Sequence, residues 1–101
     1  MVKWTSPAKR DLKKIHDYIA DDSVYYARKV IQDIVSMSEG LNDSPELGRI
    51  VPELSEPNVR ELIIYSYRLI YEIKSEHVEI LTIIHGKRDF LTAYQEKKDK
   101  P

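Results

Sequence analysis

Apolar residues recur along this chain with two different periods, and the change between them divides it into a helical part and a strand part. Ala8, Leu12, Ile15 and Ile19 follow one another at intervals of four, three and four. That spacing lays them on one stripe of a 3.6-residue helix and leaves Lys9, Arg10, Lys13, Lys14 and Asp17 off it, as a solvated face. Ahead of the stripe Val2 to Thr5 reads as a short strand, and Ser6-Pro7 offers a hydroxyl cap followed by a proline suited to the first turn. Asp21-Asp22-Ser23 interrupts the pattern and can cap a second helix, whose Ala27, Val30, Ile31, Ile34, Val35 and Leu41 share one face. So short a connection predicts an antiparallel helical hairpin.

Gly40, Asn42, Asp43, Ser44, Pro45, Gly48, Pro52 and Pro57 then crowd together, so the stretch from about Gly40 to Asn58 reads as a connecting segment. Beyond it the period falls to near 2 and β-branched and aromatic residues dominate. Val59 to Tyr65, Tyr67 to Lys74 and His77 to His85 read as three strands of an antiparallel meander. Ile63-Ile64, Leu69-Ile70 and Ile80-Leu81 place apolar groups on both faces. One face should pack on the hairpin, and the other should be covered by the C-terminal segment or by a partner protein. A short last helix is expected through Phe90, Leu91 and Tyr94, before a charged, frayed tail from Glu96 to Pro101. The predicted fold is α+β in the order β-α-α-β-β-β, with one domain over residues 1–95 and the tail over 96–101.

Composition narrows the function classes. At 101 residues the chain holds one core, and 42% apolar with 33% charged residues at a net charge of -1 describes a folded domain with a mixed surface. There is no cysteine, hence no disulfide framework or thiolate chemistry, and nothing argues for an oxidising compartment. No apolar run approaches the ~18 residues that span a bilayer, and Met1-Val2-Lys3-Trp4 leads into a polar helix pattern rather than a signal peptide. A cytoplasmic location without membrane contact is expected. The near-neutral charge leaves any nucleic-acid role to a local patch, since phosphate-backbone binding draws on a basic excess, and no direct sequence-specific DNA binding by this chain alone is expected.

His16, His77 and His85 show no metal-ligand spacing, and no phosphate-loop, dinucleotide or nucleophile-elbow motif is present, so neither metal nor cofactor is implied. The remaining chemistry is cationic. Arg60 and Arg68 open two successive strands, and His85-Gly86-Lys87-Arg88-Asp89 follows the last. Adjacent strands can gather these groups at one region of the sheet. Their faces depend on the turn: a three-residue loop Tyr65-Ser66-Tyr67 sets Arg60 opposite Glu72, whereas a two-residue loop separates Arg60 and Arg68. Plainer roles are available to each: a cross-strand pair with Glu72 for Arg60, a local pair with Asp89 for Arg88, a backbone-bonded strand end for His85. Tyr25 and Tyr26 read as structural.

Five segments in order carry a resemblance: Trp4-Thr5-x-x-Ala8-x-x-Asp11-Leu12-x-x-Ile15-x-x-Tyr18-Ile19, Leu41-x-x-x-Pro45-x-x-Gly48-Arg49, Val59-Arg60-Glu61-Leu62, Tyr67-Arg68-Leu69-Ile70-Tyr71 and His85-Gly86-x-Arg88-Asp89. Together they resemble the RelE/ParE superfamily of type II toxin-antitoxin toxins, closer to ParE in the hairpin, the Leu41 to Arg49 segment and the His85 to Asp89 segment. The resemblance implies a growth inhibitor neutralised by a cognate antitoxin that covers the open sheet face and the groove beside the hairpin. For ParE-like members the target is DNA gyrase, with Arg60, Arg68, His85, Lys87 and Arg88 as contacts to target or antitoxin. For RelE-like members it is mRNA on the ribosome, cleaved without a metal; Arg68 and Arg88 then match catalytic arginines, Tyr94 a functional tyrosine, Arg60 a catalytic lysine, and His85 joins them as acid or base. Leu62 stands where such nucleases carry a second lysine. On either reading Arg68 and Arg88 are expected to be surface groups whose loss spares the fold.

Overall fold

A computed structural model describes residues 1–86 and 88–98, and its elements follow the two periods. They are β1 (Val2–Trp4), α1 (Ser6–Ala20), α2 (Val24–Glu39), two 3₁₀ turns (Gly40–Asn42 and Pro45–Leu47), β2 (Arg49–Ile50), β3 (Val59–Ile64), β4 (Tyr67–Ile73), β5 (Val78–His85) and α3 (Phe90–Lys98). The sheet order is β1-β5-β4-β3-β2. All pairings are antiparallel except that of β1, which lies parallel to β5 with Val2 opposite Val78.

Helix α1 begins one residue earlier in its cap than the sequence suggests. Thr5 rather than Ser6 is the N-cap, accepting from the Ala8 N–H at 3.2 Å, while its hydroxyl also donates to the Ile80 carbonyl at 2.9 Å. One side chain therefore starts the helix and ties it to β5. Of Asp21-Asp22-Ser23 it is Ser23 that caps α2, through the Tyr26 N–H. The hairpin stripe (Ala8, Ile15, Val30, Ile34 and Leu41) packs on Leu62, Ile64, Leu69, Tyr71, Ile80 and Ile83. The opposite sheet face meets the chain's own C-terminus: Val51, Val59, Ile70 and Ile84 pack against Phe90, Ala93 and Tyr94 of α3. An antitoxin is therefore not needed to bury that face. Helix α3 runs to Lys98, overlapping the stretch read as tail.

Two polar groups inside the fold were not anticipated. Asp11, 5% exposed on the apolar side of α1, accepts from the Thr82 hydroxyl at 2.6 Å and from the Ile83 N–H at 3.1 Å. Among the described residues no strand lies beside the β5 edge beyond the end of three-residue β1, and this carboxylate supplies the acceptor a neighbouring strand would have given. Tyr71, fully buried, donates its hydroxyl to the Pro45 carbonyl at 2.7 Å and accepts the Gly48 N–H at 2.8 Å, which pins the connecting segment to the sheet.

Burial raises the Tyr71 phenol above its ordinary value, the Gly48 N–H opposing it in part, and burial likewise raises Tyr94. A group raised on folding adds stability that is intact below the unfolded pKa of 10.0 and declines as pH climbs toward the folded value. Stability limited by these phenols should therefore fall only above about pH 10, and tyrosinate absorbance should show a fraction of the tyrosines ionising together with unfolding. A full set of tyrosines titrating smoothly while circular dichroism stays native would contradict this.

Candidate functional site

The turn between β3 and β4 decides the geometry. Ile64 pairs with Tyr67, so the loop is the two residues Tyr65-Ser66, with Tyr65 at φ 55° and its hydroxyl bonded to Asp33 of α2. In this register Arg60 lies opposite Tyr71 and Arg68 opposite Ile63. By strand alternation Arg60 shares the hairpin face with Leu62 and Ile64, while Arg68 shares the α3 face with Ile70. The two arginines are also three register steps apart, about 10 Å along the strand. Arg60 pairs with backbone rather than with Glu72, donating to the Gly48 carbonyl and the Pro57 carbonyl, each at 3.1 Å.

Arg68 is not a surface group. Its side chain is 11% exposed and its guanidinium stacks over the Phe90 ring at 4.5 Å. Nε donates to Glu61 at 2.6 Å, and the two terminal nitrogens take both carboxylate oxygens of Glu53, at 2.7 and 2.9 Å. Glu61 itself is fully buried and also accepts from Nε of Arg49 at 2.6 Å. The result is a neutral chain of four charges, Arg49, Glu61, Arg68 and Glu53, lying along the α3 face. The Arg68 hydrogen bonds hold the Glu53 carboxyl below its ordinary value, and the same bonds, Glu53 first and Glu61 next, raise Arg68 against the opposing effect of burial. Among the described residues no group of three His, Asp or Glu side chains comes together as a metal would require.

Tyr94 also lies on the α3 face, 8% exposed and stacked on Phe90 with ring centroids 5.4 Å apart. His85 lies on the other side: its ring meets the edge of Tyr67 at 5.6 Å and lines a groove of about 500 Å³ with Lys14, Tyr18, Ile19, Tyr26 and Tyr65. Arg88 is exposed just before α3, its N–H donating to the His85 carbonyl at 2.9 Å. Asp89 is engaged as the cap of α3, accepting from Thr92. Lys87 falls outside the described residues. Among the described residues, Arg60, Arg68, His85 and Tyr94 thus do not gather at one phosphate-sized site. Arg60 and His85 are on the hairpin face near opposite ends of the sheet, and Arg68 and Tyr94 are on the α3 face.

Sequence reasoning passed over Glu53 and Glu61. Glu61 had a signal: it occupies the same strand face as apolar Val59, where an ionised group needs a partner, and the two-residue register puts Arg68 within reach. Glu53 had none, since it comes from a loop. Tyr25 and Tyr26, read as structural, are 80% and 50% exposed at the start of α2, and Tyr26 joins Tyr18 and Tyr65 in the groove.

The chain matches the family model for the ParE toxin of the type II toxin-antitoxin system parDE over residues 2–90. It is 32% identical over 88 residues to toxin RelE2 of Caulobacter vibrioides, covering 86% of this chain and 96% of that one. Among solved structures it is similar to a chain of the chromosomal ParDE system from P. aeruginosa, with a TM-score of 0.70 and 30% identity over 83% of this chain and 92% of that one. It is similar also to a chain of the RelBE2 toxin-antitoxin complex from Mycobacterium tuberculosis, with a TM-score of 0.60 and 26% identity over 84% and 95% of the two chains. A mutant of the E. coli toxin RelE in the free state shares the fold at a TM-score of 0.67 and 15% identity, over 99% of this chain and 97% of that one.

Proposed function

Because this chain belongs to the ParE toxin family of type II toxin-antitoxin systems, we propose that it arrests growth as a protein-binding inhibitor of DNA gyrase rather than as a nuclease. The observation that carries this reading is the dispersal of the matched catalytic groups. Cleaving RNA without a metal requires a base for the 2′-hydroxyl, cations on the phosphorane and an acid for the leaving oxygen, all within reach of one phosphate. Here Arg68 and Tyr94 lie on the α3 face beside Phe90, whereas His85 faces the hairpin groove. The net charge of -1 supports the same reading, since ribosome and RNA binders draw affinity from a basic excess.

The groove between α1, α2 and the β3–β4 turn suits a protein contact. Its tyrosines combine apolar area with hydroxyls at the rim, and Tyr18, Tyr26 and Tyr65 are half or more exposed or nearly so, at 77%, 50% and 48%. We assign it to the cognate antitoxin, with His85, which lines it, as a contact.

Purified toxin should inhibit supercoiling by gyrase or trap gyrase-cleaved DNA, and the antitoxin encoded beside it should reverse the effect. Programmed ribosomes carrying mRNA should show no new cuts on toxin addition. Codon-positioned cuts in the ribosomal A site that vanish in a His85→Ala variant would replace this proposal with the nuclease.

A further inference from the structure

Of the four charges along the α3 face, three are built into the sheet and one is not. Arg49, Glu61 and Arg68 sit on β2, β3 and β4. Glu53 comes from the segment 52–58, where Leu54 is the sole partly covered residue and Ser55 holds a left-handed φ of 54°. Its carboxylate, 35% exposed, takes the outer edge of the Arg68 guanidinium, while fully buried Glu61 takes the inner one. A bidentate pair of this kind is among the stronger side-chain contacts, and its stereochemistry is specific to a planar two-oxygen acceptor.

We propose that Glu53 is a removable latch on Arg68, and that the seat it vacates takes the carboxylate of an Asp or Glu in an aliphatic-rich segment of a partner protein. The seat already holds a carboxylate in the free chain, with Phe90 beneath the guanidinium fixing its plane. With Glu53 withdrawn, Arg49, Arg68 and Glu61 leave one positive charge, matched by one carboxylate. The adjoining cavity of about 370 Å³ is walled by Pro52, Ile63 and Tyr65 beside the charged groups, and Ile63 is 54% exposed. Such walls fit aliphatic side chains flanking the acid, and among the described residues that line the cavity Arg49 is the one cation besides Arg68. The exchange swaps one carboxylate for another, so its electrostatic cost is small and the added apolar contact favours the partner. The seat does not depend on which target the toxin acts on.

The full chain with Glu53→Ala should bind sodium acetate saturably, read as a rise in thermal midpoint over sodium chloride of equal ionic strength and as a shift of the Arg68 side-chain Nε resonance. The apparent affinity should exceed that of the unsubstituted chain by about tenfold or more, the scale of one charge-assisted pair. Equal responses of the two chains would overturn the proposal, and so would inorganic phosphate binding the variant more tightly than acetate, which would mark a phosphate site. If Glu53→Ala does not fold, Glu53→Gln is titrated in its place, since the amide keeps one acceptor. In the unsubstituted chain, the Leu54 and Ser55 amides, both bonded to the Val51 carbonyl, should exchange about 100-fold faster than those of β4 through local opening. Protection equal to that of β4 would mean that the latch does not open and would likewise overturn it.

Discussion

Gly48→Ala should destabilise the protein by about 3 kcal/mol or more, the upper part of the range for overpacking a closed site. A Cβ at this position would lie 2.5 Å from the Glu61 carbonyl oxygen and 2.7 Å from the Tyr71 hydroxyl. The backbone dihedral is not the obstacle, because φ -78° and ψ 159° suit any residue. Space is. The nearest atom belongs to the backbone of β3, which cannot move without disturbing its ladder with β4. Alanine's smaller unfolded-state entropy, worth about 0.4–1 kcal/mol, does not offset the collision. For a domain this size the thermal midpoint should fall by roughly 12 °C or more, measured by circular dichroism. Adding Tyr71→Phe removes the second clash, so the double variant should be less destabilised than the sum of the single ones. An unchanged midpoint in Gly48→Ala would show that the connecting segment is not seated as described.

Arg68→Ala should be comparably damaging. The substitution leaves Glu61 buried, with Arg49 as its remaining ionic partner, and the Arg49 side chain is 62% exposed. Breaking a buried pair from one side costs about 3–5 kcal/mol, mostly the desolvation of the charge left behind. Glu53 and Phe90 lose their contacts as well. The midpoint should drop by roughly 12–25 °C, not the few degrees expected of a surface arginine. Replacing both partners, Arg68→Met with Glu61→Leu, should recover most of the loss, because an apolar pair of similar volume demands no solvation. That double variant also separates folding from toxicity: growth arrest read in it reports on the guanidinium itself and not on a collapsed sheet. If Arg68→Ala keeps its midpoint, the four-charge chain contributes little and the surface reading stands.

Much of the fold was legible in the sequence because it depends on local regularities. The 3.6-residue stripe from Ala8 to Ile19, the Ser23 cap, the turn-rich stretch after Gly40 and the change of period at Val59 each follow from neighbours within a few positions. Apolar residues on both sheet faces also required two covering layers, though not their identity. What covered the second face was a matter of chain path, and the packing of Phe90, Ala93 and Tyr94 of α3 on it settled that. The short β2 was missed because two residues carry no period; Arg49 and Ile50 are strand-like only because β3 lies beside them.

The candidate site was less legible, for a reason that rests on one turn. The sequence allowed either a two- or a three-residue loop at Tyr65, and a shift of one residue sends every later side chain to the other face. Choosing between them depended on tertiary contacts: the Tyr65 hydroxyl on Asp33, and the burial of Leu69 and Tyr71 under the hairpin. That register carried Arg68 toward Glu61 and Phe90 and left Arg60 and His85 on the hairpin side. Sequence alone thus determined the longer elements, the need for two covering layers and the family; only the tertiary structure decided the short β2, what covers the second face and which charges meet, because ion pairing is set by register and loop path rather than by spacing along the chain.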